Sequence, residues 1–153
     1  MAIVRSSAGV LVINDTYNAN PASMAAGIRT LDQVTQGRRV AVLGDMFELG
    51  HAAEQAHVEL GQLVGEESVD FLLTVGSYGD SVRQGAVDAG MEVDKITVCR
   101  SKEEAVVNLR KMVKSKVLGD NDALLVKASR AMSFETIVQG FLESDGSEEV
   151  GPR

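Results

Sequence analysis

The chain has no tryptophan, a single cysteine, two prolines and no apolar run near the ~20 residues that a membrane-spanning helix requires. A lone Cys99 excludes an internal disulfide. The opening residues, M-A-I-V-R-S-S-A-G-V, lack a charged segment ahead of a longer apolar stretch, so they do not read as a secretory signal. The cytoplasm is the expected compartment, without membrane insertion. Positive charge is also short: 15 Lys and Arg against 22 Asp and Glu leave a net charge of -7. Such a chain repels phosphate backbones and acidic lipid overall, which argues against a sequence-independent nucleic-acid binder. Two nucleotide signatures are missing as well. There is no G-K dipeptide, hence no G-x-x-x-x-G-K-[ST] phosphate loop, and the segment G-S-Y-G-D at residues 76–80 lacks G-x-G-x-x-G spacing.

What is present fits one globular domain. A chain of 153 residues buries about two-thirds of its unfolded surface, so neither metal nor disulfide is needed as a staple. Short aliphatic runs at residues 10–13, 39–43, 71–75, 96–98 and 123–126 read as buried strands. Segments of helical spacing separate them. Asn20 and Pro21 open the first helix as N-cap and first residue, with Met24, Ile28 and Leu31 on one face. The second, near residues 52–64, carries Ala53, Ala56, Leu60, Leu63 and Val64 as its stripe, with His57 inside it. A third covers residues 80–89. Ser101 and Glu104 form a capping box for the fourth, and the last follows Ser133 with Met132 and Ile137 as a hydrophobic staple. Strands alternating with helices imply right-handed crossovers, hence an α/β, Rossmann-like domain with a mostly parallel sheet and helices on both faces. The domain is expected over residues 1–143, with a disordered acidic tail at 144–153.

In such folds ligands bind at the carboxyl ends of the strands, and three loops there are rich in polar groups. Residues 14–20 hold Asp15, Tyr17, Asn18 and Asn20 just before a helix N-terminus, which favours anions. Helix capping and turn formation account equally well for Asn20 and Asp15. Residues 44–50, G-D-M-F-E-L-G, place Asp45 and Glu48 after a buried strand. Acid–base work or a hard metal site is one reading, and simple solvation is the other. Residues 127–132 bring Lys127, Ser129 and Arg130 off a hydrophobic strand, a set suited to carboxylate or phosphate. His51 and His57 are six apart and share no helix face, so they do not form an i, i+4 metal pair. His57 reads as a packed helix residue and Cys99 as a structural one.

Taken together, N-D-T-Y-N-A-N-P-A-S-M at residues 14–24, A-V-L-G-D-M-F-E-L-G at 41–50 and V-K-A-S-R-A-M at 126–132 resemble the C-terminal domain of the Mur ligases, most of all the branch that adds D-alanyl-D-alanine. The resemblance runs from about residue 9 to residue 141. It implies an enzyme of peptidoglycan synthesis that uses ATP and Mg²⁺ to phosphorylate the carboxylate of UDP-MurNAc-tripeptide. The amine of D-Ala-D-Ala then attacks, and a tetrahedral intermediate collapses to amide, ADP and phosphate. It also implies that the N-terminal sugar-binding domain and the central ATPase domain are missing here, so that this fragment alone is inactive and holds no catalytic residue or metal ligand.

By the same resemblance Asp15 corresponds to a ribose-binding acid, with Tyr17, Asn18 and Asn20 lining the nucleotide side of the cleft. Lys127, Ser129 and Arg130 correspond to the segment that positions the amine substrate, while Asp45, Glu48 and His57 are left as loop support. Ala128 departs from a common K-G-S-R pattern, which questions a glycine-dependent backbone approach there. Two other readings stay open: the third domain of a folylpolyglutamate synthase-like or cyanophycin synthetase-like ligase, and a freestanding Rossmann-like binding module.

Overall fold

The computed structural model describes residues 1–144. The acidic tail expected from residue 144 onward therefore lies outside the described residues, except that Ser144 ends the last helix. The strands are β1 (Ala2–Arg5), β2 (Leu11–Asp15), β3 (Arg39–Leu43), β4 (Phe71–Val75), β5 (Ile96–Cys99) and β6 (Ala123–Lys127). The helices are α1 (Pro21–Val34), α2 (Ala53–Glu66), α3 (Gly79–Asp88), α4 (Lys102–Lys114) and α5 (Glu135–Ser144). They build a six-stranded sheet in the order β1-β2-β6-β3-β4-β5, parallel throughout except that β1 runs antiparallel to β2. The α/β, Rossmann-like class expected from the alternating pattern is the observed one.

Period-two alternation divides the core between the two faces of the sheet. Ile13, Ala41, Leu43, Leu72 and Leu125 point to α1, α2 and α3, where Met24, Ile28, Leu31, Leu60, Val64 and Val82 meet them. Val12, Val40, Val42, Leu73, Leu124 and Val126 point the other way, onto Ala105 and Leu109 of α4 and Ile137, Val138 and Phe141 of α5. Gly61 and Gly85 let α2 and α3 close on each other: a Cβ at Gly61 would stand 1.9 Å from the Val82 carbonyl oxygen, and one at Gly85 equally near that of Val58.

The main differences from the sequence expectation lie at β1, at the ends of β2 and β6, and at the start of α5. β1 carries no sequence signature of a buried strand, because its four residues are all exposed. β2 and β6 each run past their apolar stretches, to Asp15 and Lys127, since ladder pairing continues through polar residues. α5 starts at Glu135, one residue later than a Ser133 cap implies, because Ser133 adopts a left-handed backbone (φ 53°) that closes a 3₁₀ turn. The caps of the other helices form largely as read. Asn20 Oδ1 accepts the Ser23 N–H (2.8 Å) while Ser23 Oγ accepts the Asn20 N–H (3.0 Å). Ser101 Oγ accepts the Glu104 N–H (3.0 Å), but the returning Glu104 carboxylate takes the Arg100 N–H, one residue upstream of the expected donor.

Candidate functional site

Order reverses around β6. The loop after β2 leads to α1 on one face, the loop after β6 leads towards α5 on the other, and the loop after β3 returns to the α1 side. Diverging loops open a crevice at the carboxyl ends of these strands, the usual ligand position in an open α/β sheet.

Asp15 and Lys127 stand opposite each other in the β2–β6 register, at the floor of this crevice. Lys127 Nζ donates to Asp15 Oδ2 at 2.9 Å and to the Asn18 carbonyl oxygen at 2.8 Å. The lysine side chain is buried, whereas that of Asp15 keeps 19% of its surface exposed. No described hydrogen bond engages Asp15 Oδ1. Asn18 Oδ1 accepts the Ala19 N–H, and Asn20 Oδ1 serves the α1 cap, so both amide oxygens shape the loop. Tyr17 is 70% exposed, with the Arg130 guanidinium 4.8 Å from its ring centroid. The pair borders a cleft of about 400 Å³ lined by Thr16, Tyr17, Arg130, Ser133 and Glu135. On the α1 side, a second cleft of about 300 Å³ is lined in part by Asp15, Tyr17, Asn18, Ser23 and Lys127.

The loop after β3 is fixed from three sides. The buried Asp45 carboxylate accepts the Ser77 N–H (2.8 Å) and the Tyr78 N–H (3.0 Å), tying it to the start of α3. Its carbonyl accepts the Ser129 N–H (3.0 Å), and Ser129 Oγ accepts the Phe47 N–H (2.8 Å), tying it to the loop after β6. His57 Nε2 accepts the Met46 N–H (3.0 Å), and the imidazole lies stacked on Tyr78 with ring centroids 4.3 Å apart. Glu48 is exposed at the loop tip in a left-handed conformation (φ 64°). His51 is exposed in the following 3₁₀ turn.

The structure thus brings together Asp15, Tyr17, Asn18, Lys127 and Arg130, and ties Ser129 to Asp45 and His57. Glu48 and His51 do not converge on either group, and among the described residues no three His, Cys, Asp or Glu side chains converge as a metal site. Ser77 and Tyr78, whose N–H groups hold Asp45, carry no motif that marks them in the sequence, their segment lacking dinucleotide spacing. The one legible trace is the glycine at 76 itself, which the structure requires: its φ is 127° and a Cβ there would stand 2.6 Å from the Asp45 carboxylate. Ala128 is accommodated. Its backbone is not among the left-handed positions, and its methyl fills space left by Gly44, whose own Cβ would stand 2.6 Å away.

The Mur ligase, glutamate ligase domain family matches residues 1–130. The chain is similar to the UDP-N-acetylmuramoyl-tripeptide--D-alanyl-D-alanine ligase of Bacillus subtilis, 34% identical over 145 residues covering 94% of this chain and 30% of that protein. The Escherichia coli enzyme of the same name is 29% identical over 134 residues, covering 88% of this chain and 27% of its own. The chain spans about 30% of the length of these curated relatives. A crystal structure of MurF from Acinetobacter baumannii superposes with a TM-score of 0.82 at 30% identity, over 93% of this chain and 30% of that one. MurF ligase from Thermotoga maritima in complex with ADP superposes with a TM-score of 0.72 at 26% identity, with the same coverage.

Proposed function

The chain belongs to the Mur ligase family, and from that premise we propose that it is the C-terminal domain of a MurF-type ligase joining D-Ala-D-Ala to UDP-MurNAc-tripeptide. In this reading the loop at residues 14–20 forms one wall of an ATP site. The Asp15 carboxylate meets the ribose hydroxyls, with Tyr17 and Asn18 beside it and Asn20 setting the start of α1. Arg130 faces the incoming dipeptide from the rim, and Ser129 holds the neighbouring loop in place through the Phe47 N–H. ATP supplies the phosphoryl group that activates the tripeptide carboxylate. Mg²⁺, the phosphates and the UDP-sugar belong to the central and N-terminal domains of the complete enzyme, which works in the cytoplasm. This domain alone does not turn over.

The observation that carries the reading is the Asp15 carboxylate. One oxygen is anchored by Lys127 and, among the described residues, no hydrogen bond engages the other, in a side chain that lines a cleft together with Tyr17 and Asn18. A fixed acceptor with a free lone pair suits a diol, because its orientation is already set before the ligand arrives. The ADP carried by the Thermotoga maritima MurF structure supports the same side of the family's chemistry.

The test is ATP- and D-Ala-D-Ala-dependent ligation, assayed with this chain alone and with the chain joined to the two other ligase domains. Turnover is expected only in the joined form. Robust turnover by the chain alone would overturn the claim that the other domains are essential. Preference for a single acidic amino acid over D-Ala-D-Ala would move the chain to another branch of the family.

A further inference from the structure

We propose that Lys127 is a positioning residue that clamps the loop at residues 14–20 and thereby aims the Asp15 carboxylate, rather than a group that touches the amine substrate. The inference rests on the nucleotide reading of that loop for its consequence in catalysis, but its geometry stands independently.

Four observations converge. The Lys127 side chain is only 2% exposed, so although it contributes to the wall of the cleft beside Asp15 its ammonium is almost wholly withdrawn from solvent. Two of its three donors are already spent inside the protein, on Asp15 Oδ2 and on the Asn18 carbonyl oxygen. These acceptors lie three residues apart, one on the last residue of β2 and one in the loop that follows it, so a single cation closes the segment between them. The fourth observation comes from α1. Gly27 is buried mid-helix, where glycine costs roughly 1 kcal/mol against alanine, and a Cβ there would stand 3.1 Å from Lys127 Cδ. The helix gives up side-chain volume at the place where the lysine stem passes.

The charge balance agrees. A buried ammonium is strongly disfavoured unless paired and hydrogen-bonded, and Asp15 supplies the pairing. The partly exposed carboxylate is then held through Oδ2, and no hydrogen bond among the described residues engages Oδ1. Lysine reaches this point because its four-carbon stem spans from β6 past α1 to the loop.

The first test is hydrogen–deuterium exchange on the 153-residue chain. In Lys127→Met, amides 16–20 are expected to exchange at least tenfold faster, while amides 40–43 of β3 keep their rates. Unchanged exchange at 16–20 in the folded variant would overturn the clamp. Asp15→Asn removes the ionic half without emptying the lysine channel. It is expected to speed the same amides to a smaller extent, and it keeps the proposal testable should Lys127→Met fold poorly.

The second test is steady-state kinetics of the same variants in the complete ligase. Lys127→Met is expected to raise the KM for ATP at least tenfold, with kcat within threefold and the KM for D-Ala-D-Ala within twofold, and Lys127→Arg to restore part of the loss. A rise confined to the KM for D-Ala-D-Ala would place Lys127 against the amine substrate and overturn the proposal. Faster loop exchange together with an unchanged KM for ATP in both Asp15→Asn and Lys127→Met would leave the clamp standing and refute the nucleotide reading instead.

Discussion

His57 Nε2 accepts the main-chain N–H of Met46 at 3.0 Å, joining the second turn of α2 to the loop after β3. Because that nitrogen accepts, the ring proton resides on Nδ1, which donates to the Ala53 carbonyl oxygen at 2.6 Å. The imidazole is fully buried and has no lone pair left for a substrate. It works as a neutral peg. His57→Phe preserves a ring against Tyr78 but leaves the buried Met46 N–H without its acceptor. The expected loss is about 1 to 3 kcal/mol of stability, the cost of an unsatisfied buried donor, measured by urea unfolding. An unaltered midpoint would show that the loop does not depend on the peg.

Asp45 offers a sharper contrast between two substitutions. Its two oxygens each accept one main-chain N–H, from Ser77 and Tyr78, while its carbonyl receives Ser129. Asp45→Ala removes both side-chain acceptors, and bonds to a buried carboxylate are worth roughly 1.5 to 3 kcal/mol each. Asp45→Asn keeps one oxygen but turns an NH₂ group towards the second donor. Thermal unfolding is therefore expected to rank wild type above Asn and Asn above Ala. Equal behaviour of Asn and wild type would mean that only one of the two bonds carries weight.

Much of this arrangement was legible in the sequence, and for identifiable reasons. The Asn20 cap, the Ser101 start of α4 and the alternation that buries Val40 and Ala41 on opposite faces are encoded within a few residues. Asp15 and Asp45 could be assigned to the carboxyl ends of strands because an apolar run stops two residues before each, although Asp15 proves to be the last residue of β2 and not part of the loop. What could not be read is which partner each would find. The Lys127–Asp15 pair joins residues 112 apart, and a cation after a hydrophobic strand looks identical whether it faces a ligand or a neighbouring loop. The role of Tyr78 was hidden for the same reason, since its contact with His57 exists only after α2 and α3 pack. Edge strand β1 was invisible because all four of its residues are exposed, so burial leaves no pattern in its sequence.

Cys99 yields a prediction with a definite pH direction. Burial at the end of β5, assisted by the nearby Glu104 charge and opposed by a hydrogen bond from Asn108, pushes its thiol from 9.0 up to about 11. The native thiol is protonated at neutral pH, and the thiolate is the reactive form. Ellman's reagent is therefore expected to react slowly with the native chain at pH 8 and rapidly in urea. Below pH 9 the thiol is protonated in both folded and unfolded chains, so its contribution to stability is constant there. As pH climbs from 9 to 11 the unfolded chain loses the proton first, which favours unfolding. Stability should fall over that window more steeply in wild type than in Cys99→Ala. Equal slopes would show that burial does not discriminate against the thiolate.

Tyr17 separates folding from function more cleanly than any buried residue can. Its ring is mostly exposed, and its described partner is the Arg130 guanidinium, a contact worth about 0.5 to 1 kcal/mol at an exposed site. Tyr17→Ala should therefore shift the unfolding free energy by no more than about 1 kcal/mol. Yet the ring borders both clefts at the strand ends, and an aromatic side chain left open to solvent is available to stack on a planar ligand. In the complete ligase the substitution is expected to raise the KM for ATP about tenfold, equivalent to ~1.4 kcal/mol of lost binding. Tyr17→Phe, which retains the stacking face, should recover most of that loss. If Ala and Phe were equally impaired, the phenol hydroxyl and not the ring would be the contact. If neither changed the KM for ATP, the nucleotide would have to lie on the opposite wall of the crevice, away from Tyr17.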